Sequence, residues 1–160
     1  MAIRFQTTEQ DMVAAYRLHY TTSRKKAAWV FGAFVLGLVG YLTTENTYAA
    51  ALAGGAAGLG LAHVAILYLV VPNRARHLYR QQKNLHTEHQ VSWDDQCVYI
   101  RSESYNENLR WADLVKAKEN DALVLLYRSD YNLSMIPKRS FSGAEAYAEF
   151  RGHLVPRFLG

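Results

Sequence analysis

Two histidines and a glutamate lie close together in the run His86-Thr87-Glu88-His89, with His77 upstream. Imidazole nitrogens and a carboxylate are ligands that zinc accepts. On a strand, however, His86 and His89 would point to opposite faces, and the helical His-Glu-x-x-His spacing is absent. We interpret these residues as solvated polar groups at the entrance to a domain, and we predict no metal site and no cofactor.

Paired carboxylates are the next candidates for chemistry, because they can act as a general acid and a general base. Asp94 and Asp95 are adjacent, in a segment rich in turn-forming residues. Adjacent aspartates of this kind usually shape a turn through hydrogen bonds to the backbone. Neither a serine nor Cys97 has a base beside it in a recognisable motif. The sequence therefore predicts a protein that is not an enzyme.

The stretch ALAGGAAGLGLAHV at 51–64 carries glycines at positions 54, 55, 58 and 60. That spacing is neither G-x-G-x-x-G nor a P-loop, which argues against phosphate binding. The glycines lie within an uncharged run at 48–71, and a second uncharged run covers 27–43. A membrane-spanning helix needs about 20 apolar residues. The sequence predicts a transmembrane hairpin over 27–72, with spans at about 27–44 and 48–71.

Small residues recur within both predicted spans. Lipid provides no hydrophobic drive between helices, so close approach of their backbones at small residues must hold them together. We predict a helix-packing seam within one chain, with a seam between two chains as the alternative. His63, which is ionisable and lies inside the second span, is expected to be neutral and to hydrogen-bond across the pair. The predicted seam comprises Ala50, Gly54, Gly58 and Ala62 in the second span, and Ala33 and Gly37, followed by Gly40, in the first.

The charge distribution predicts a topology. The chain carries 18 Lys and Arg against 14 Asp and Glu, and eight of these basic residues lie at 17–26 and 74–83, outside the two spans. The loop between the spans carries only Glu45. By the positive-inside rule we expect a multi-pass protein of the cell inner membrane with both termini in the cytoplasm. Because the basic excess sits at the hairpin edges, we do not expect nucleic acid as a partner.

The remaining sequence predicts an N-terminal strand and helix at 1–26, a basic amphipathic connector helix at 73–86 after a break or kink at Pro72, and a small domain at 87–160. In the N-terminal helix Thr8 and Asp11 form a weak capping box, and Met12, Tyr16 and Tyr20 share a face. The small domain alternates short β-rich segments with turns, which indicates an antiparallel meander of five or six strands closed by one helix. That helix has Ser142 as its candidate cap and a stripe of Ala146, Tyr147, Phe150 and Leu154. Most of the core is expected from Trp93, Val98, Ile100, Trp111, Leu114, Val124, Leu126, Ile136, Phe141 and Phe150.

A family resemblance rests on the N-terminal TTEQDMVAAYRLHY, the two spans, and the segments RWADLVKAKE, LLY, MIPKRSF and EAYAEF. In this order the chain resembles the YcxB-like family of small bacterial membrane proteins. The resemblance implies a cytoplasmic pleckstrin-homology-like (PH-like) domain on a two-helix anchor, and it implies no reaction. The expected fold class is an α+β membrane protein.

We therefore predict a non-enzymatic inner-membrane protein that presents a cytoplasmic docking or regulatory module. The alternative is a membrane accessory or immunity protein that binds another membrane protein through its helices. Expected partners are the lipid bilayer and another membrane or membrane-associated protein, and a homo-oligomer is left open. Basic residues near the inner leaflet could contact anionic lipid, where each charge is worth about 1 kcal/mol. These residues are Arg74, Arg76, Arg80, Lys138 and Arg139, and a solvated turn is the alternative for the last two.

Overall fold

The computed structural model describes residues 2–21, 24–44, 46–103 and 105–158. Glu45, which the sequence analysis places in the loop between the two spans, lies outside the described residues. The chain divides into two compact units. One contains the chain up to His19 together with the chain from Arg74 onward, and the other is Tyr20–Asn73.

Within the described residues of the first unit, seven strands form two antiparallel sheets. The first sheet has the order β1 (Ala2–Gln6), β2 (Glu88–Trp93), β3 (Cys97–Ser102) and β4 (Tyr105–Arg110). The second has the order β5 (Lys116–Glu119), β6 (Leu123–Tyr127) and β7 (Leu133–Pro137). The predicted β-rich segments are confirmed as strands. The prediction of one continuous meander is wrong, because a 3-10 turn at Trp111–Asp113 separates β4 from β5.

Strand β1 pairs with β2, although 81 residues separate Gln6 from Glu88 at the point where their pairing begins. Ile3 lies opposite Val91 and Phe5 opposite His89, and Ile3 and Phe5 are both buried. The sequence analysis assigns 1–26 and 87–160 to separate segments. The structure instead combines β1 with the later strands, because its alternate apolar side chains complete the inner face of the first sheet.

The main core lies between the two sheets and the helix α5 (Ala144–Gly152), which is followed by a short α6 (Val155–Phe158). All ten predicted core residues are buried, which confirms that prediction. Phe150 packs its ring against Trp93 at 5.2 Å and against Trp111 at 5.7 Å between ring centroids. The predicted stripe on α5 is also confirmed, with Tyr147 partly buried. The helix begins after Gly143 and has no side-chain cap, so the prediction of Ser142 as its cap is wrong.

Helix α1 (Glu9–Tyr20) covers the outer face of the second sheet. The predicted capping box is confirmed: the Thr8 backbone amide donates to Asp11 Oδ2 at 2.8 Å and the Asp11 amide donates to Thr8 Oγ1 at 3.1 Å. Of the predicted Met12–Tyr16–Tyr20 face, Met12 is buried, Tyr16 is half-buried and Tyr20 is exposed, so this face packs only in its first half. The residues that contact the sheet are smaller: Ala15, with the partly buried Ala14 and Leu18. Strand β6 is consequently buried on both of its faces.

The second unit is a helical hairpin of α2 (Arg24–Thr44) and α3 (Thr47–Ala65). The Asn46 side chain caps α3 by accepting a hydrogen bond from the Tyr48 amide at 2.8 Å. Among the described residues, two helical stretches are long and apolar enough to cross a membrane, Lys26–Thr44 and Thr47–Gln81. Each stretch contains one of the predicted spans, and the second stays helical for ten residues beyond the predicted end at 71.

The chain stays helical at Pro72, so of the predicted break or kink the break is wrong, and the kink stays a prediction. A π-helical turn at Ile66–Val70 joins α3 to α4 (Val71–Gln81), and a 3-10 turn follows at Lys83–His86. Proline clashes with the carbonyl of the residue four positions earlier, here Tyr68, and it has no amide proton to donate. The wider π turn lies at that position and takes up the disruption.

Candidate functional sites: the helix seam and the paired charges

The seam between α2 and α3 is centred on Gly37. A Cβ atom added to Gly37 would lie 2.6 Å from the Ala53 backbone nitrogen and 2.9 Å from the Ala49 carbonyl oxygen. At Gly40 it would lie 3.2 Å from the Ala49 Cβ. Ala33 is half-buried on the same helix. The first-span residues of the predicted seam therefore do lie against the second helix.

On the second helix the residues that face α2 are different from those predicted. Ala53 and Ala56 are buried, whereas Gly54 and Gly58 are exposed and an added Cβ atom would meet no atom within 4 Å at either position. Ala62 is exposed and Ala50 is half-buried. The prediction that Gly54 and Gly58 pack within the chain is corrected by this geometry.

The reason lies in how helical positions rotate about the axis. At 3.6 residues per turn, three steps of four residues turn by roughly 120° in total, so the stripe that begins at Ala50 drifts away from a single partner. The contact positions 49, 53 and 56 advance by four and then three residues, which keeps them on one side of the helix. A seam between two chains at Gly54 and Gly58 stays a prediction. His63 is half-buried, and its hydrogen bond across the helix pair also stays a prediction.

The basic residues predicted to contact lipid lie in the first unit, and four of the five contact acidic side chains there. Arg76 Nε lies 3.1 Å from Glu9 Oε1, and Arg80 Nη2 lies 3.8 Å from Glu9 Oε2. Arg139 pairs with the buried Asp11 and donates to the Gln6 carbonyl at 3.0 Å. Arg139 thereby ties the turn after β7 to the start of α1.

Lys138 belongs to a second network, centred on Glu119 at the end of β5. Arg151 of α5 donates to both Glu119 oxygens, at 2.8 and 3.2 Å, and Tyr147 donates its hydroxyl proton to the same carboxylate. Lys138 Nζ lies 3.6 Å from Glu119 and 4.6 Å from the centre of the Tyr147 ring. The hydrogen bonds from Arg151 lower the pKa of Glu119 to about 2, aided by Tyr147 and the charge of Lys138.

These contacts change the interpretation of the five basic residues that were predicted to contact anionic lipid. Lys138 and Arg139 lie in a 3-10 turn and pair with carboxylates of their own unit, while Arg139 is also exposed. Within the described residues, Arg74 is the member of the set without an ion pair, and it is exposed. The pairs link β5, α5, α1 and the turn after β7, so they serve the packing of the first unit.

The aspartate and the histidines that the sequence analysis considered for catalysis or metal binding contact neighbouring backbone amides and aromatic rings. Asp94 Oδ1 accepts hydrogen bonds from the Gln96 and Cys97 amides at 2.8 Å, which lowers the pKa of Asp94 and confirms its predicted role in a turn. The His86 ring lies 4.5 Å from the ring of Tyr79, while His89 packs beside Phe5. Across the described part of the chain, no group of three His, Cys, Asp or Glu side chains is arranged to hold a metal ion.

One segment carries both the hydrophobic core around Trp111 and the Glu119 network. Residues 93–154 match the model of the YcxB-like protein family. The resemblance to this family is therefore confirmed over that segment, from the end of β2 to two residues beyond α5. No curated protein and no solved structure matches the chain.

Inside this YcxB-like segment, sequence reasoning missed a buried ion pair. Glu107 points inward from β4, is buried, and pairs with Arg128, which follows β6. Tyr105 donates its hydroxyl proton to Glu107, and Arg128 Nη2 donates to Asn132 Oδ1 at 2.8 Å. Burial and the Glu107 carboxylate raise the pKa of Tyr105. The one available signal was alternation, since Glu107 shares the inward face with Leu109.

A second missed cluster joins the YcxB-like segment to α1. Lys118 Nζ donates to the Leu18 and His19 carbonyls at 3.2 and 3.0 Å, at the helix end where a cation is favoured. His19 Nδ1 lies 3.1 Å from the Tyr127 hydroxyl. Burial and the charges of Lys118 and Lys116 lower the pKa of His19. No local pattern reveals these contacts, because about 100 residues separate the partners.

Proposed function

We propose that this protein is a non-enzymatic inner-membrane protein in which a transmembrane hairpin anchors a cytoplasmic docking or regulatory module. The observation that carries the proposal is the pairing of β1 with β2, which brackets the hairpin in sequence. Both flanks of the hairpin contribute to one compact unit, so both must lie on the same side of any membrane that α2 and α3 cross. An even number of crossings meets that requirement, and two apolar helices supply it.

The charge distribution supports the cytoplasmic side for that unit. Arg24, Lys25 and Lys26 precede the first apolar run, and Arg74, Arg76 and Arg80 follow the second. Basic residues that flank membrane helices remain on the cytoplasmic side. The flanking charges and the shared sheet are independent arguments for the same topology.

A PH-like architecture for the soluble unit is supported by its strand arrangement. Four strands and then three form two antiparallel sheets, and one helix near the end of the described chain closes the core between them. The Glu119 network holds that helix to β5. The carboxylates described above form salt bridges or cap turns and helices, which is consistent with a module that binds rather than catalyses.

Cysteine accessibility tests the topology. In a Cys97→Ser chain, Asn46→Cys at the α3 cap should react with a membrane-impermeant maleimide in intact cells. The matched variant Asp121→Cys, in the exposed β5–β6 turn, should react only after lysis. Reaction of Asp121→Cys in intact cells, or of Asn46→Cys only after lysis, would overturn the proposed orientation.

The exposed face of α3 favours a second candidate, an accessory or immunity protein that binds another membrane protein through its helices. Gly54 and Gly58 leave open space there, and close approach at small residues is how helices associate in lipid. Gly54→Leu with Gly58→Leu should abolish co-purification of a partner while the hairpin keeps its thermal stability. Point variants suit this test because removing 86–160 would deprive β1 of its partner strand. Unchanged co-purification would reject this candidate.

A further inference from the structure

Helix α1 covers an apolar surface that is separate from the main core. The side chains of β6 alternate, so Val124 and Leu126 belong to the main core while Leu123, Leu125 and Tyr127 form a second cluster on the other side of the sheet. All three side chains of the second cluster are fully buried. The chain would therefore expose a second apolar surface wherever α1 moved away from it.

The side chains that α1 supplies to this surface are small. Ala15 is buried against it, and Ala14 and Leu18 are partly buried. An alanine removes less apolar area from water than a larger aliphatic side chain, so α1 gains little apolar contact for a helix of 12 residues. Among the described residues, the main core cluster includes none of α1. Movement of part of α1 would leave that core closed, as in a local opening.

The first turn of α1 is fixed by ion pairs that lack histidine. Glu9 lies 3.1 Å from Arg76 and 3.8 Å from Arg80, and the buried Asp11 pairs with Arg139. Histidine is the side chain that ordinarily changes its charge between about pH 5 and 8. The first turn of α1 should therefore stay in place at mildly acidic pH.

The last turn of α1 is fixed by contacts around His19. Its Nδ1 lies 3.1 Å from the Tyr127 hydroxyl, and the two rings stack with their centroids 5.8 Å apart. Tyr16, three residues earlier, lies on the same side of the helix, and phenols are uncharged near neutral pH. Lys118 Nζ donates to the Leu18 and His19 carbonyls at 3.2 and 3.0 Å. Lys118 thus occupies the end of the helix where a cation is most favourable.

The charges that face His19 are mostly positive. Lys118 and Lys116 face it from β5, and Asp130 faces it from the β6–β7 turn but already pairs with Lys116. On α1 itself the nearest charge in sequence is Arg17, and helix positions two residues apart do not face each other. Burial and the two lysines lower the pKa of His19. Protonation of His19 would add a third positive charge at this place.

We propose that His19 is a proton-sensitive switch: the neutral side chain holds the last turn of α1 over Leu125 and Tyr127, and the protonated side chain releases it. The Tyr127 hydroxyl can also accept a hydrogen bond from a protonated ring, so that bond is not the cause. Release lets the imidazolium regain its hydration and move away from Lys116 and Lys118. The switch lies within one unit and does not depend on the proposed function.

Thiol reactivity at two positions of α1 tests the proposal in the full chain in a mild detergent. In a Cys97→Ser background, Ala15→Cys reports on the cover, and Met12→Cys, which is also buried but lies in the first turn, is the matched control. Each reaction rate is divided by that of the exposed Asp121→Cys at the same pH, which removes the pH dependence of thiol chemistry.

Between pH 7.5 and pH 5.5 the normalised rate should rise for Ala15→Cys and stay constant for Met12→Cys. The rise should be at most about tenfold, because a released histidine with the ordinary pKa of 6.5 is protonated about ten to one at pH 5.5. His19→Gln in the Ala15→Cys chain should abolish the rise, since glutamine takes up no proton over this range.

Hydrogen exchange of the parent chain repeats the comparison without a substitution in α1. Protection of the amides of residues 15–20 should fall at the lower pH, while protection of β5, β6 and β7 should persist. An equal rise at Met12→Cys, or a loss of protection in all three strands, would show a general loosening and overturn the inference. A rise that persists in His19→Gln would assign the opening to another group, and unchanged rates and protection would show that no switch exists.

Discussion

Replacing Gly37 with alanine should weaken the α2–α3 pair, although alanine is the better helix former. The new Cβ atom would lie 2.6 Å from the Ala53 backbone nitrogen, where ordinary contact begins at 3.4 Å. Both close neighbours are backbone atoms, so no side chain can rotate out of the way. The helices must therefore separate by about 0.8 Å at this level, the difference between the two distances.

The expected cost follows from that separation. A gap of about 0.5–1 Å forfeits a quarter to a half of each dispersion contact, at 0.1–0.2 kcal/mol for a full contact. The contacts of Gly37 with Ala49 and Ala53, and of Gly40 with Ala49, are affected. Summed with the usual penalty for overpacking, the loss should be about 1–3 kcal/mol, less a few tenths returned by the helix propensity of alanine.

Thermal aggregation of the full chain in a mild detergent measures this loss. Gly32→Ala is the matched control on the same helix, because an added Cβ atom there meets nothing within 4 Å. Gly54→Ala is the control on the other helix, for the same reason. Only Gly37→Ala should lower the aggregation temperature. Equal temperatures for Gly37→Ala and Gly32→Ala would refute the seam, whereas a loss in Gly54→Ala that depends on protein concentration would move the contact between chains.

Three further predictions concern the first unit, which contains both sheets. Trp111 is 1% exposed and its indole donates to the Asp94 carbonyl at 2.8 Å, so Trp111→Ala should cost about 3–5 kcal/mol of stability. Limited proteolysis should then cut the first unit of the variant more readily than that of the parent chain, and an unchanged cleavage pattern would contradict this burial. Glu119 has a folded-state pKa of about 2 against an ordinary 4.5, so its contribution is full above pH 4.5 and is lost as the pH falls towards 2. Because the carboxylate is partly exposed, we expect about 1–2 kcal/mol, visible as a flatter urea midpoint against pH in Glu119→Gln, and parallel curves for the two proteins would argue against it. His19 has its pKa lowered from 6.5, so the folded state takes up its proton less readily and stability should fall as the pH drops below about 6.5. Hydrogen exchange of the α1 amides should quicken over that range in the parent chain and not in His19→Gln, and an identical response in both would exclude His19 as the cause.

Features that depend on near neighbours in sequence were predictable. The capping box of Thr8 and Asp11 requires partners three residues apart, and the stripe on α5 requires only a 3.6-residue period. The strands from β2 to β7 follow from β-rich segments between turn residues. The core positions followed for the same reason, because large apolar side chains at alternate positions of a strand have one buried face to occupy.

Features that depend on distant partners were not predictable. Ile3 pairs with Val91, and Lys118 contacts the end of α1, across sequence separations of about 90 to 100 residues. Sequence spacing marks Glu119 as an ordinary polar residue of a strand. Its low pKa comes from Arg151 and Tyr147, which the closing helix brings to it.

The pair of helices α2 and α3 shows most clearly which features the sequence predicts and which depend on the tertiary structure. Composition alone predicted two long uncharged helices, and the structure has helices in both segments. Both helices are rich in small residues, so spacing alone could not tell which small residues of α3 face α2. The rotation of one helix about its own axis is set by the closest packing of both, which brings Gly37 against Ala53 and leaves Gly54, the next residue along, exposed.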